Sequence, residues 1–272
     1  MAAYRALSDM GKRYMCELAA EVGLEASLAL EGAGDETISP RTFMTFLIVL
    51  ICVVVAVLLL KPAIKKAPAI WYAAAIALAL LYIGVLQGLL PLPAPVRNVL
   101  FLLLQKGTLA VALFTVVMFV GVFPRDSKPR KYLSPIRAEL SIIACMLIVG
   151  HILAYCLTYV PRVLGAGVIT PFVSVGLGVA LAVTVLLIVL GATSFNNVKA
   201  RMSSQTWFRV QKWSYVFFGL TYAHVLAMLL PSALSGGMTA AQSVVAYTVV
   251  FSAYAALRIV RAILDRKRGD LF

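Results

Sequence analysis

The 272-residue chain has only two histidines, and both stand deep in apolar sequence. His151 lies in Ile148-Val149-Gly150-His151-Ile152-Leu153-Ala154-Tyr155, and His224 lies in Gly219-Leu220-Thr221-Tyr222-Ala223-His224-Val225-Leu226. An imidazole can offer a nitrogen lone pair to a metal or carry a proton near neutral pH. Ionisable groups are costly in hydrocarbon, so such residues are candidates for function. One chemistry open to the pair is axial ligation of a haem iron from opposite faces of the porphyrin. An interhelical hydrogen bond and a proton relay are equally open on spacing alone. No Cys, Asp or Glu lies within reach along the same helices to complete another kind of metal site. No CxxCH is present, so covalent attachment of a c-type haem is excluded.

The elements that must position these residues are long apolar helices. Apolar residues make up 62% of the chain. Seven nearly uncharged runs stand out, at about 43–60, 69–91, 106–123, 139–160, 171–193, 208–230 and 240–262. A membrane-crossing helix needs about 20 such residues. The runs do not alternate in polarity, which argues against a barrel. They fill most of the chain and leave no room for a separate soluble catalytic domain. The expected fold is therefore an all-α polytopic membrane bundle of about seven transmembrane helices. Counted from Ala138 and Phe208, His151 and His224 sit about 20 Å and about 24 Å along their helices at 1.5 Å per residue. Such matched depth suits two ligands of one group, and Gly150 and Gly219 offer close approach for a flat macrocycle.

The net charge of +13 could suggest nucleic acid, but its distribution argues for topology. Lys61, Lys65 and Lys66 follow the first run. Arg125, Lys128, Arg130, Lys131 and Arg137 lie between the third and fourth. Lys199, Arg201, Arg209 and Lys212 lie between the fifth and sixth, and Arg258, Arg261, Arg266, Lys267 and Arg268 end the chain. These are alternate helix ends, hence one side of a membrane, whereas the opposite loops hold only Arg97, Lys106 and Arg162. The asymmetry is the positive-inside pattern. It predicts an outside N-terminus, a cytoplasmic C-terminus, a multi-pass protein of the bacterial inner membrane and basic clusters in contact with anionic lipid. Nucleic acid is not among the expected partners.

Residues 1–41 differ in character and hold most of the chain's 11 acids. Glu17, Glu21 and Glu25 recur every four residues, as do Met10, Tyr14, Leu18 and Val22, which predicts an amphipathic helix capped by Ser8 or Asp9. No apolar signal-peptide core precedes Thr42, so the first run is expected to remain as an anchor. Residues 42–95 form two additional helices, 96–262 a helical core and 263–272 a basic tail. Cys16, Cys52, Cys145 and Cys156 lack CxxC spacing and predict no disulfide.

Several pieces of the core, in order and spacing, carry a family likeness. They are Ile136-Arg137-Ala138-Glu139-Leu140, Gly150-His151-Ile152-Leu153-Ala154-Tyr155, Ala192-Thr193-Ser194-Phe195-Asn196 and Trp207-Phe208-Arg209-Val210-Gln211-Lys212. Ser214-Tyr215 then runs into Ala223-His224-Val225-Leu226. The stretch 107–229 resembles the ferric-reductase-like transmembrane domain family. Within that family it looks most like the haem-bearing membrane subunit of the periplasmic methionine-sulfoxide reductase system. Larger family members carry two histidines 13 or 14 residues apart on each of two helices and stack two haems. Here Gln211 stands thirteen residues before His224, and Arg137 fourteen before His151. Neither is a probable haem ligand, so the resemblance implies a single haem b, near the outer face, held by His151 and His224.

That departure also shapes the expected electron route. The chain has neither a GxGxxG nucleotide fingerprint nor room for a flavin domain. Membrane quinol, or a partner's cofactor, is therefore the expected donor, and an extracytoplasmic redox protein the expected acceptor. Haem propionates need cations or hydrogen-bond donors, for which the outer side offers Arg97, Lys106, Arg162, Tyr155, Tyr159 and Tyr222. Lys106, between Gln105 and Gly107, is a candidate for a propionate or a quinone carbonyl, with snorkelling to headgroups as its plainer role. Trp71, Trp207 and Trp213 lie near helix ends, where interfacial anchors usually sit. The chain is expected to be an electron-transfer subunit rather than a complete enzyme. Its rivals are a haem-free transporter, assembly factor or membrane anchor.

Overall fold

A computed structural model describes residues 45–166 and 169–267. The expected acidic N-terminal helix with its caps, Cys16 and the end of the basic tail lie outside the described residues. Among the described residues the chain is all helix and turn, with no strand. Helix α1 is Thr45–Lys66, α2 Pro68–Leu86, α3 Ala94–Leu104, α4 Thr108–Val120 and α5 Lys128–Leu133. A 3-10 turn, Ser134–Ile136, leads into α6, Arg137–Pro161. Then follow α7 Pro171–Ala192, α8 Asn196–Lys199, α9 Ser204–Lys212, α10 Ser214–Leu234 and α11 Met238–Lys267. Six spans are long and apolar enough to cross a membrane, and a seventh results if the bent pair α3–α4 counts as one.

Local chemistry sets the breaks. Pro68 opens α2, where its missing N–H costs nothing. The helix closes with a Schellman motif, in which Gly88 at φ +71° allows Leu89 N–H to bond Gly84 O and Gly88 N–H to bond Val85 O. The third apolar run departs most from expectation. The run 106–123 holds one helix, α4, but a short helix that the sequence reading did not anticipate, α3, precedes it, and the two meet at 44° around Gln105-Lys106-Gly107. Gly107 sits at φ +64°, a left-handed conformation that glycine adopts without a Cβ clash.

Helix α4 is apolar on every side, and almost every residue from Ala110 to Val120 is buried, as all-round hydrophobicity predicts. It is the central post of the bundle. Helices α1 and α6 pack along it, and Phe114 meets Phe217 of α10 edge-on at 5.1 Å. Helix α6 also packs closely on α2, where a Cβ at Gly150 would come 3.3 Å from Ala79 Cβ. Helix α10 packs on α7 and on α11, with Phe218 stacked on Phe251 at 4.2 Å. Helices α6 and α7 touch at Cys145 and Gly191, where a Cβ would lie 3.0 Å from the thiol sulfur. Cys145 thus fills space as a small apolar residue, and Cys52, Cys145 and Cys156 are all free thiols.

The basic residues gather at one end of the bundle. Tyr132 of α5 donates to Leu58 O of α1, and Arg258 of α11 donates to Tyr215 Oη of α10. Arg130 lies within electrostatic reach of Arg137, Arg261 and Asp265. Arg261 is buried there and pairs with Asp265 one turn on, at 2.6 Å.

Candidate functional site

His151 lies in the half of α6 remote from the basic end, half-buried beside the α3–α4 break. Its Nδ1 is 2.6 Å from Gln105 O. The break explains this partner. The last carbonyls of a helix have no intrahelical donor, and the chain turns at Gly107 before α4 can supply one. With Nδ1–H donating to that carbonyl, Nε2 keeps its lone pair. Any other residue at Gly107 would be strained at φ +64° and would have to displace Ile148. A Cβ there would lie 2.6 Å from Ile148 Cδ1 and 3.6 Å from His151 Cγ.

His224, likewise half-buried, makes the matching contact on α10. Its Nδ1 is 3.1 Å from Gly176 O of α7. A Cβ at buried Gly176 would come 2.5 Å from Met228 Cε, so the helices approach closely at this level. Both histidines therefore engage Nδ1 with a backbone carbonyl of a neighbouring helix, and both leave Nε2 as the acceptor nitrogen. Metal-bound imidazoles are usually oriented in this way, by giving their other N–H to a carbonyl or carboxylate. The two rings are close enough for a charge on one to be felt at the other. Among the described residues, α6 packs chiefly on α2 and α4, and α10 chiefly on α7 and α11, so the two histidine-bearing helices are not packed tightly on each other.

The other sequence-derived candidates divide. Tyr155 packs on the His151 ring at 4.7 Å, Tyr159 stacks on Tyr155 at 5.9 Å, and the Arg162 guanidinium lies 5.3 Å from the Tyr159 ring. These residues form a ladder from His151 to the end of α6. Lys106 is exposed at the α3–α4 break, next to the residue whose carbonyl holds His151, and Arg97 is exposed on α3. Tyr222 turns away from this cluster; its hydroxyl bonds Thr248 Oγ1 at 2.9 Å and its ring stacks on Phe251. Gly150 serves the α2–α6 contact rather than an approach to a macrocycle, and Gly219 has nothing within 4 Å of a built Cβ. Among the described residues no three His, Cys, Asp or Glu side chains gather as a metal site. A porphyrin supplies its own equatorial nitrogens, so two imidazoles suffice for a haem.

At the basic end the positions in register with the histidines are otherwise engaged. Gln211 Nε2 donates to Thr193 Oγ1 at 3.0 Å, Trp207 Nε1 donates to Thr193 O at 3.0 Å, and Arg137 is exposed. Trp207 thus clips α9 to the end of α7. Sequence reading missed the backbone partners Gln105 and Gly176 and the structural need for Gly107. A glycine beside Gln-Lys in an apolar run was the available signal for the break; Gly176, inside Val175-Gly176-Leu177-Gly178-Val179, gave none.

Comparison with known proteins supports the reading of the central helices. Residues 106–222 match the family model described as ferric reductase like transmembrane component. The match includes His151 and stops just before His224. An uncharacterized protein of Treponema pallidum (strain Nichols) is 39% identical over 168 residues, which cover 60% of this chain and 46% of that protein. The chain thus spans about half the length of the curated relative it matches. No solved structure matches. From the α3–α4 break to the first half of α10, this membrane-spanning chain is similar to the transmembrane component of ferric reductases.

Proposed function

We propose that this chain is the membrane subunit of an electron-transfer system and holds one haem b between α6 and α10 through His151 and His224. One observation carries the reading: both imidazoles tie Nδ1 to a neighbouring helix's carbonyl and leave Nε2 for an iron. Bound there, a haem supplies a one-electron carrier inside the bilayer.

The chain's own residues supply position and surroundings. The Gln105 carbonyl fixes the tautomer and tilt of His151, and the Gly176 carbonyl does the same for His224. Hydrogen bonding at Nδ1 makes Nε2 a stronger donor to a metal. Tyr155 packs the open side of the His151 ring, and Tyr222 holds α10 against α11. Arg162 and Lys106 are proposed to meet carboxylates of the cofactor or the carbonyl of a quinone. Gln211 and Arg137 hold no second haem, because Gln211 is bound to Thr193 and neither side chain is a good iron ligand. With the basic helix ends on the cytoplasmic side of a bacterial inner membrane, the histidines lie towards the outer face. Electrons then come from membrane quinol and leave to an extracytoplasmic reductase partner.

The same two hydrogen bonds favour one rival. They join α6 to the end of α3 and α10 to α7, which a haem-free transporter, assembly factor or anchor could use purely for packing. Absorption of protein purified from cells supplied with haem separates the two. A low-spin Soret band and a sharp reduced α band are expected, with one haem per chain, reducible by added quinol. A colourless preparation overturns the reading, a stoichiometry of two overturns the single site, and no reduction by any quinol moves the donor to a protein.

A further inference from the structure

The end of the bundle remote from the histidines holds a second feature, independent of any haem. Between α1 and α4, bordered at the basic end by α5, lies a groove of about 590 Å³ lined by Leu50, Val54, Leu58, Phe119 and Phe123 among others. From Leu50 to Leu58 it follows α1 for about 12 Å at 1.5 Å per residue. Its two hydroxyls are both engaged: Thr115 donates to Val111 O at 2.8 Å and Tyr132 to Leu58 O at 3.0 Å. The interior therefore presents hydrocarbon.

The mouth is different. Tyr132 also lines an adjoining recess of about 500 Å³, whose other walls are Lys61, Pro62, Lys65 and Lys66. Lys61 Nζ sits 3.7 Å from the centre of the Tyr132 ring, so this tyrosine is fixed between groove and recess. Lys128 stands on the groove's own rim. Asp126, the nearby acid, pairs with Lys131 at 3.5 Å and does not line either cavity. Four lysines thus line the recess and the rim at the basic end of the apolar slot.

We infer that this groove is a seat for an anionic phospholipid, with one acyl chain along Leu50, Val54 and Leu58 and the phosphate among Lys61, Lys65, Lys66 and Lys128. Charge complementarity selects the occupant. A quinone or a neutral lipid would fill the slot equally well but would leave the lysine cluster unmatched. A soluble phosphate would satisfy the lysines but leave the slot open.

The test uses the full chain in detergent, equilibrated with equal amounts of phosphatidylglycerol and phosphatidylcholine and read by native mass spectrometry. Phosphatidylglycerol should be retained in preference. Lys61→Gln, Lys65→Gln and Lys66→Gln should each reduce that preference roughly fivefold, the effect of one basic residue near an anionic headgroup. Val54→Trp, which fills the slot and leaves the lysines intact, should abolish retention of phosphatidylglycerol. Arg209→Gln/Lys212→Gln, a basic pair elsewhere, should change nothing. Circular dichroism checks that each variant folds. Equal retention of both lipids overturns the inference. So does wild-type retention in Lys61→Gln, Lys65→Gln and Lys66→Gln alike or in Val54→Trp, an equal loss in Arg209→Gln/Lys212→Gln, or displacement of the lipid by inorganic phosphate at equal concentration.

Discussion

Sequence spacing sets Arg137 and Gln211 against His151 and His224, yet the structure treats the two pairs oppositely: the histidines stand inside α6 and α10, whereas Arg137 opens α6 and Gln211 lies on α9. At one end, His151 and His224 each bond a backbone carbonyl through one nitrogen and keep the other. At the other, Gln211 is bound to Thr193 and Arg137 lies within electrostatic reach of Tyr215, Tyr254 and Arg258. A ligand site needs side chains that are oriented but not saturated. An imidazole meets that condition because its two nitrogens can be used separately. A glutamine amide bonded to a hydroxyl is a structural clip.

The largest effect expected from this contrast is loss of the cofactor from one end only. His151→Ala or His224→Ala should abolish the Soret band, whereas Arg137→Ala and Gln211→Ala should leave haem content at the wild-type level. Retention of the band in both histidine variants would exclude this ligand pair. The next largest effect is expected at Gly107. Any L-residue there must adopt φ +64°, which costs roughly 1–2 kcal/mol. Its Cβ also meets Ile148 and the His151 ring. Gly107→Ala should lower both the thermal unfolding temperature and the haem content measured by pyridine haemochrome. A stable variant with full haem content would show that the α3–α4 break does not hold His151.

Much of this was legible in sequence, for physical reasons that also mark the limits. A run such as Thr108–Val120 can only be a helix in lipid or in a protein core, so all-α membrane architecture followed from composition and run length. His151 and His224 were conspicuous because nothing else of their kind interrupts those runs. The start of a helix after Gln105-Lys106-Gly107 was legible, but α3 before it and the turn at Gly107 that sets the two helices at an angle were not, because Lys106 drew attention as a charge while the backbone turn did the positioning. Gly150 was read as room for a macrocycle, but side-chain direction on α6 points it at Ala79 and Tyr82. Backbone carbonyls such as Gln105 O and Gly176 O have no sequence signature. Which of them meets an imidazole depends on how helices far apart in sequence come together.

A smaller effect is expected where the site is held by a flexible neighbour. A Cβ at Gly176 would clash with the far end of Met228, which can rotate aside, and would otherwise make only ordinary contact with Ala227. Gly176→Ala should therefore keep the haem but shift its reduction potential and α band, as the His224 hydrogen bond is displaced. Met228→Ala in the same chain should restore both. No rescue would mean that Gly176 acts through the backbone of α7 rather than through this contact.

The smallest effect tests the other end. Thr193→Val removes the acceptor of the Gln211 hydrogen bond and the hydroxyl's own bond back to the Val189 and Leu190 carbonyls of α7, and leaves the Trp207 bond, which uses the backbone carbonyl, in place. A single hydrogen bond of this kind contributes about 0.5–1.5 kcal/mol. Thr193→Val should therefore cost at least that much stability in chemical denaturation and leave the haem spectrum unchanged. Pairing it with Gln211→Ala should add little, since the two side chains act through one bond. A change in the haem spectrum would mean that the clip at the basic end and the imidazoles at the other are coupled through α7 and α10, and that the contrast between the two ends is one of degree.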